Sequence, residues 1–141
     1  MSAPHPRADR VRVSSESTYP PHVLGRRAEA LAARVLEARG WTVLALNYRW
    51  GRREVDLVVR RGSLIAFVEV KARAGAGYGP PEAAVTWKKR REIEAVAAEF
   101  LLRHRPGDVD IRFDVIAIQV DRGSGTVRLE HLEDAWRPGW S

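Results

Sequence analysis

The apolar positions of this chain change period several times, and each change marks an element. Leu24, Ala28, Leu31, Ala32, Val35 and Leu36 recur at helical spacing up to Gly40, which predicts an amphipathic helix with a glycine stop. Trp41 to Leu46 is short, apolar or β-branched and bounded by Asn47, as a strand is. Glu54 to Arg60 and Leu64 to Lys71 are two more strand-like runs. They flank Arg61-Gly62, a turn signal that predicts a hairpin. Thr86 is placed to cap a second helix with the apolar face Ile93, Val96, Ala97, Phe100 and Leu101, ending over His104 to Gly107. Ile111 to Val120 reads as a fourth strand, and Gly123-Ser124-Gly125 turns it into a fifth near Thr126 to Leu129.

Outside these runs the periodicity fails. Residues 1 to 22 set Pro4, Pro6, Pro20 and Pro21 among serines and scattered charge, which predicts a disordered N-terminal tail. The domain is expected over residues 23 to 135, followed by a short Trp-containing tail from 136 to 141. Gly75 to Pro81, with three glycines and two prolines around Tyr78, reads as a loop.

Composition narrows the function. At 141 residues one domain is expected, and 45% hydrophobic with 30% charged residues is globular rather than disordered. The formal net charge of +6 favours an anionic partner, of which nucleic acid is the commonest for a small basic domain. The absence of cysteine excludes a disulfide framework and a thiolate metal site, so any metal must be held by oxygen or imidazole. No signal-peptide core and no apolar run near the ~18 residues of a membrane helix occur, so a cytoplasmic protein without a membrane partner is expected.

Hydrolysis of a phosphodiester requires a hard divalent cation and an activated water. Mg²⁺ is satisfied by one or two carboxylates with carbonyls and waters, so two acids on neighbouring strands suffice. The candidates are Glu54 and Asp56 on one strand and Glu69 with Lys71 on the next. Strand alternation puts each pair on one face, and hairpin parity decides whether the faces coincide. A two-residue loop at Arg61-Gly62, or a four-residue loop from Arg60 to Ser63, sets Glu54 opposite Glu69 and Asp56 opposite Phe67. All four side chains then project together, whereas an odd loop would split them. Three acids on one face are costly without a cation, which argues for a bound metal.

The chain has 21 arginines but only 3 lysines, so lysine at 71 is not the default cation of this composition. Its compact ammonium can orient or help deprotonate a water. Lys89, one turn before Ile93, is placed to reach the same site, while Lys88 faces solvent. Glu29 flanks the apolar stripe of the first helix. Arg49, Arg52, Arg53, Arg73 and Lys88 form a basic surround suited to phosphates, with Tyr48, Trp50, Tyr78 and Trp87 interleaved. Asp114 is expected as a strand-edge acid paired with Arg112. The four histidines show no metal-ligand spacing and receive no role.

These residues in this order resemble the YraN family, bacterial proteins with a restriction-endonuclease-like domain. The resemblance runs from Gly25 to about Ala135. It rests on Gly25 with Glu29, Gly40, Asn47, Glu54-Val55-Asp56-Leu57, Val68-Glu69-Val70-Lys71 with Arg73, Tyr78-Gly79, Val85-Thr86 with Lys89, and Arg112-Phe113-Asp114-Val115. The domain is also similar to the archaeal Holliday-junction resolvases. That similarity implies an α/β fold with a mixed sheet of about five strands flanked by helices. It further implies that Asp56, Glu69 and the Val70 carbonyl bind Mg²⁺ or Mn²⁺, that Lys71 positions the water, and that Glu29 matches an acid used by some resolvases. The expected activity is metal-dependent cleavage of DNA, branched or junction DNA included, by a homodimer. The alternative is a non-catalytic nucleic-acid-binding module on the same fold.

Overall fold

The central run Leu64–Ala74 alternates strictly, and that alternation builds two cores. Ala66, Val68 and Val70 face one side, while Ile65 and Phe67 face the other. A computed structural model describes residues 7–12, 21–75, 85–121 and 123–139. Its elements in chain order are β1 (Arg7–Arg12), α1 (Pro21–Ala38), β2 (Thr42–Trp50), β3 (Arg53–Arg61), β4 (Leu64–Ala74), α2 (Trp87–His104), β5 (Asp110–Asp121) and β6 (Thr126–Trp136). The strands form one mixed sheet in the order β1-β6-β5-β4-β3-β2. Among the described residues only β4 and β5 pair in parallel, and α2 makes the crossover that a parallel pair needs. Ala28, Ala32 and Leu36 of α1 cover one face of the sheet. Ile93, Val96, Ala97 and Phe100 of α2 cover the other.

The α/β architecture with helices flanking a mixed sheet is as expected, and several boundaries move. Within the stretch read as a tail, Arg7–Arg12 pairs antiparallel with β6 as a sixth strand, and α1 begins at Pro21. Such a strand adds backbone hydrogen bonds without needing an apolar pattern, so periodicity could not announce it. The fifth expected strand extends to Trp136, which is buried. The glycine- and proline-rich stretch from 76 to 84, with Tyr78, lies outside the described residues. No helix among the described residues is long and apolar enough to cross a membrane.

Two local signals worked as chemistry dictates. Thr86 caps α2, its hydroxyl accepting from the Lys89 N–H at 3.2 Å. The β3–β4 turn is two residues long, but at Gly62-Ser63 rather than Arg61-Gly62, with Gly62 supplying a φ of 62°. Arg61 therefore pairs with Leu64, and the register slides by two residues relative to expectation. An even slide preserves parity. Continued along the strands, it sets Asp56 opposite Glu69 and Glu54 opposite Lys71.

Asp114 is not an edge acid. It lies on the interior strand β5 and is fully buried. Arg112 donates to both its oxygens at 2.8 and 2.9 Å, His131 Nε2 lies 2.8 Å away, and the Asp134 N–H donates at 3.0 Å. Burial alone would raise this carboxyl, but the hydrogen bonds from His131 and Arg112 hold it below the ordinary aspartate value. Removing one partner of such a set leaves buried charge uncompensated. Asp114→Asn is expected to lose about 3 kcal/mol or more at pH 7 in urea unfolding. Because the folded carboxyl is depressed, this contribution is complete above the unfolded value near 3.9 and fades as pH falls through the folded value, so the gap between wild type and variant should narrow below about pH 4.

Candidate functional site

The β3–β4 ladder runs from Arg61 and Leu64 to Leu57 and Val68, and there it ends. One step further the Val70 N–H donates not to a backbone carbonyl but to Asp56 Oδ2, at 2.7 Å. The cause lies in β2 and β3 together. Asn47, which sits opposite Asp56 between the pairs Leu46 with Leu57 and Tyr48 with Val55, has a φ of 49°. Asparagine tolerates that left-handed conformation better than most residues. On β3, Val55 packs into the α2-side core, whereas Leu57 packs into the α1-side core. Residues two apart on opposite faces mean that alternation breaks at Asp56. Its carboxylate is thereby turned into the seam where β3 and β4 part.

Glu69 follows the regular alternation of β4 and is buried against that seam, hydrogen-bonded to Asp56. Lys71 Nζ and Lys89 Nζ each stand 3.9 Å from Glu69 Oε2, one from the same strand and one from α2. Lys89 Nζ also donates to the Glu54 carbonyl at 3.3 Å. From the opposite face Glu29 of α1 reaches both Asn47 and Asp56 by side-chain hydrogen bonds. Three acids and two lysines thus converge from four elements.

Electrostatics follow from this crowding. Burial, and then the bond and repulsion from Asp56, push the Glu69 carboxyl up to about 9, against the lowering pull of Lys89 and Lys71. Burial first and Asp56 second also raise Glu29. Burial and the neighbouring carboxylate thus favour the protonated form of Glu69. Its Oε1 is nonetheless buried without a hydrogen-bond partner. Such an orphaned oxygen beside a second carboxylate fits a hard divalent cation. Among the described residues no three acid or imidazole groups form a cage, so a cation here must rely on Asp56, Glu69, backbone carbonyl and water, the manner of Mg²⁺. The two polar groups of a strand residue point to the same edge, so the Val70 carbonyl looks toward β3 beside its N–H.

The residues expected together divide into two groups. Asp56, Glu69, Lys71, Lys89 and Glu29 meet. Glu54 contributes its carbonyl, while its carboxylate pairs with Arg49 at 2.7 Å. The expectation that all four hairpin side chains share a face therefore holds for Glu69 with Lys71 and fails for Glu54 with Asp56, because the strand breaks between them. Arg49, Arg52 and Arg53 are exposed at the mouth of the β2–β3 hairpin, Lys88 is exposed at the start of α2, and Arg73 is half-buried beyond Lys71. Asn47 escaped notice as a site residue. Its signal was an asparagine ending an apolar run opposite an acid.

The class defined so far is an α/β protein with a mixed sheet, helices on both faces and a carboxylate and lysine cluster where two strands separate. The model of uncharacterised protein family UPF0102 matches residues 28–118, and the chain belongs to this family, the YraN family. A UPF0102 protein of Geobacter sulfurreducens is 42% identical over 121 residues, covering 86% of this chain and 94% of the relative. A UPF0102 protein of Rhodococcus opacus is 42% identical over 113 residues, covering 80% and 95%, and one of Anaeromyxobacter dehalogenans is 43% identical over 120 residues, covering 82% and 88%.

A carboxyl raised by burial costs stability once it is forced to ionise. Its contribution is intact below the unfolded value and declines as pH rises toward about 9. With chelator present, Glu69→Gln is expected to melt above wild type at pH 8, with the difference closing at pH 5. Equal melting temperatures at both values would contradict a buried Glu69 carboxyl raised by its surroundings.

Proposed function

We propose that this protein is a metal-dependent nuclease that hydrolyses phosphodiester bonds of DNA, branched or junction DNA among its substrates. The observation that carries the reading is the half-buried Asp56 beside the buried Glu69 with its unpartnered oxygen, the latter held between two lysines in the seam of β3 and β4. Mg²⁺ or Mn²⁺ bound by Asp56, Glu69 and the Val70 carbonyl supplies the positive charge that phosphoryl transfer needs. The rest is the work of this chain. Asp56 is fixed by the Val70 N–H, so one ligand is preorganised by backbone. Lys71, 38% exposed at its side chain, reaches from the buried pair to solvent and orients the attacking water. Lys89 offsets the second carboxylate charge. Glu29, on the α1 side of Asp56, is placed to hold a proton. Arg49, Arg52, Arg53, Arg73 and Lys88 bind backbone phosphates without reading bases.

One observation favours a second reading. Two lysines already flank Glu69, and among the described residues no third carboxylate completes a cage, as in a nucleic-acid-binding module that keeps its acids for structure. Cleavage separates the two. Incubated with linear and branched DNA and Mg²⁺ or Mn²⁺, the protein should cut; Asp56→Ala and Glu69→Ala should abolish cutting, and Lys71→Ala should slow it by about 100-fold or more. Calorimetric Mn²⁺ binding should vanish in Glu69→Ala. Salt-sensitive DNA binding with no cleavage and no saturable Mn²⁺ would establish the second reading instead.

A further inference from the structure

The backbone at position 47 is unusual for the residue that adopts it. The φ of 49° at Asn47 is left-handed, and it falls inside β2 rather than at a turn. Glycine reaches that region without strain, whereas asparagine keeps part of the steric cost of an L residue. Conformation alone is served better by glycine, so the amide is what asparagine adds. That amide is hydrogen-bonded to Glu29 of α1, and Glu29 is in turn hydrogen-bonded to Asp56. Because the bond from Asn47 lowers the Glu29 carboxyl, the amide N–H donates and the carboxylate accepts. The course of β2 delivers the amide. Leu46 pairs with Leu57, which packs on the α1 side, while Tyr48 packs on the α2 side with its ring centroid 5.0 Å from that of Phe100. Residues 46 and 48 thus lie on opposite faces, and alternation fails at Asn47 just as it fails at Asp56 across from it. The Tyr48 hydroxyl donates to Glu99 of α2 at 2.5 Å, which pins β2 directly after the break.

From this arrangement we infer that Asn47 is a positioning residue of the carboxylate cluster, its amide holding Glu29 against Asp56 so that Asp56 is steered from α1 as well as from β4. The inference rests on the metal reading above for its functional consequence, and it adds a residue to that reading. The Val70 N–H fixes one oxygen of Asp56, Oδ2, at 2.7 Å. One hydrogen bond leaves a carboxylate free to turn about that contact, and a second contact sets its plane. Asn47 acts through Glu29 and not on the reacting atoms. A neutral amide does this without adding charge to a cluster that already holds three acids and two lysines. The partners that orient a ligating carboxylate matter to the metal nearly as much as the ligand, and losing one weakens binding by about 10- to 100-fold.

Two measurements test this, one of them without metal. In chelator, hydrogen exchange of the Val70 amide is followed by NMR, because that N–H bonds to Asp56 itself. Asn47→Gly keeps the left-handed backbone and removes the amide, so its melting temperature should stay close to that of the parent. Its Val70 amide should exchange about tenfold faster, while Val68, inside the ladder with Leu57, is unchanged. In calorimetric titration with Mn²⁺, Asn47→Gly should bind about tenfold more weakly. Asn47→Asp combined with Glu29→Gln keeps the total charge and exchanges donor with acceptor, so it should recover the parent's Val70 protection and Mn²⁺ affinity. Parental Val70 exchange in Asn47→Gly overturns the inference and leaves Asn47 a backbone device. Failure of the exchanged pair to restore Val70 protection overturns it too. Equal acceleration at Val68 and Val70 with a lower melting temperature also overturns it, since the loss is then one of fold. If the parent binds no Mn²⁺ but the exchange result and its rescue hold, the positioning stands and the metal reading falls. Saturable Mn²⁺ binding that Asn47→Gly leaves unaltered gives the reverse.

Discussion

The hydrogen bond from the Val70 N–H to Asp56 organises the end of the sheet where the carboxylates and lysines meet. A strand N–H that loses its ladder partner inside a protein must find another acceptor, and the penalty for leaving it alone is on the order of 1–3 kcal/mol. Here a carboxylate replaces the carbonyl, which lets β3 and β4 separate after Leu57 and Val68 without orphaning the backbone. The separation is what makes room. It lets Glu69 keep its regular position on β4 while Asp56 swings into the seam, where Glu29 of α1 meets Asp56 and Lys89 of α2 meets Glu69.

That geometry sets protonation as well as position. Glu69 is raised because it is buried and because Asp56 lies beside it, and two ammonium groups at 3.9 Å do not cancel those effects. A buried carboxyl with an unsatisfied oxygen is a poor way to stabilise a fold. The rest of the sheet does the opposite. Asp114, equally buried, has every neighbour it needs, and its carboxyl is depressed. The two acids differ in satisfaction rather than in depth.

Much of this was legible in the sequence because periodicity carries topology. The two amphipathic helices, the Thr86 cap and the central hairpin followed from spacing and turn chemistry. The even hairpin loop survived even though the turn moved to Gly62-Ser63, since a slide of two residues leaves each side chain on its face. What spacing could not foresee was the break at Asp56. Alternation is a rule for regular strands, and the rule fails where a left-handed Asn47 and a side-chain acceptor replace ladder bonds. The β1 strand was hidden for a related reason, as a strand at the sheet edge can form on backbone bonds alone. The His131 partnership with Asp114 joins strands that no local pattern links.

The break at Asp56 also bears on how Lys89 is placed. A regular β3 would carry the hairpin mouth forward in plane with the sheet. With alternation interrupted, Val55 turns to the α2 side and packs with Val85 and Ile93 there. Lys89 then bonds to the Glu54 carbonyl and ties the start of α2 to the same strand. The start of α2 and the strand that carries Asp56 are therefore held on one frame. Rigid elements fix functional groups better than loops do. The same irregularity that turns Asp56 inward thus also fixes where Lys89 stands beside Glu69.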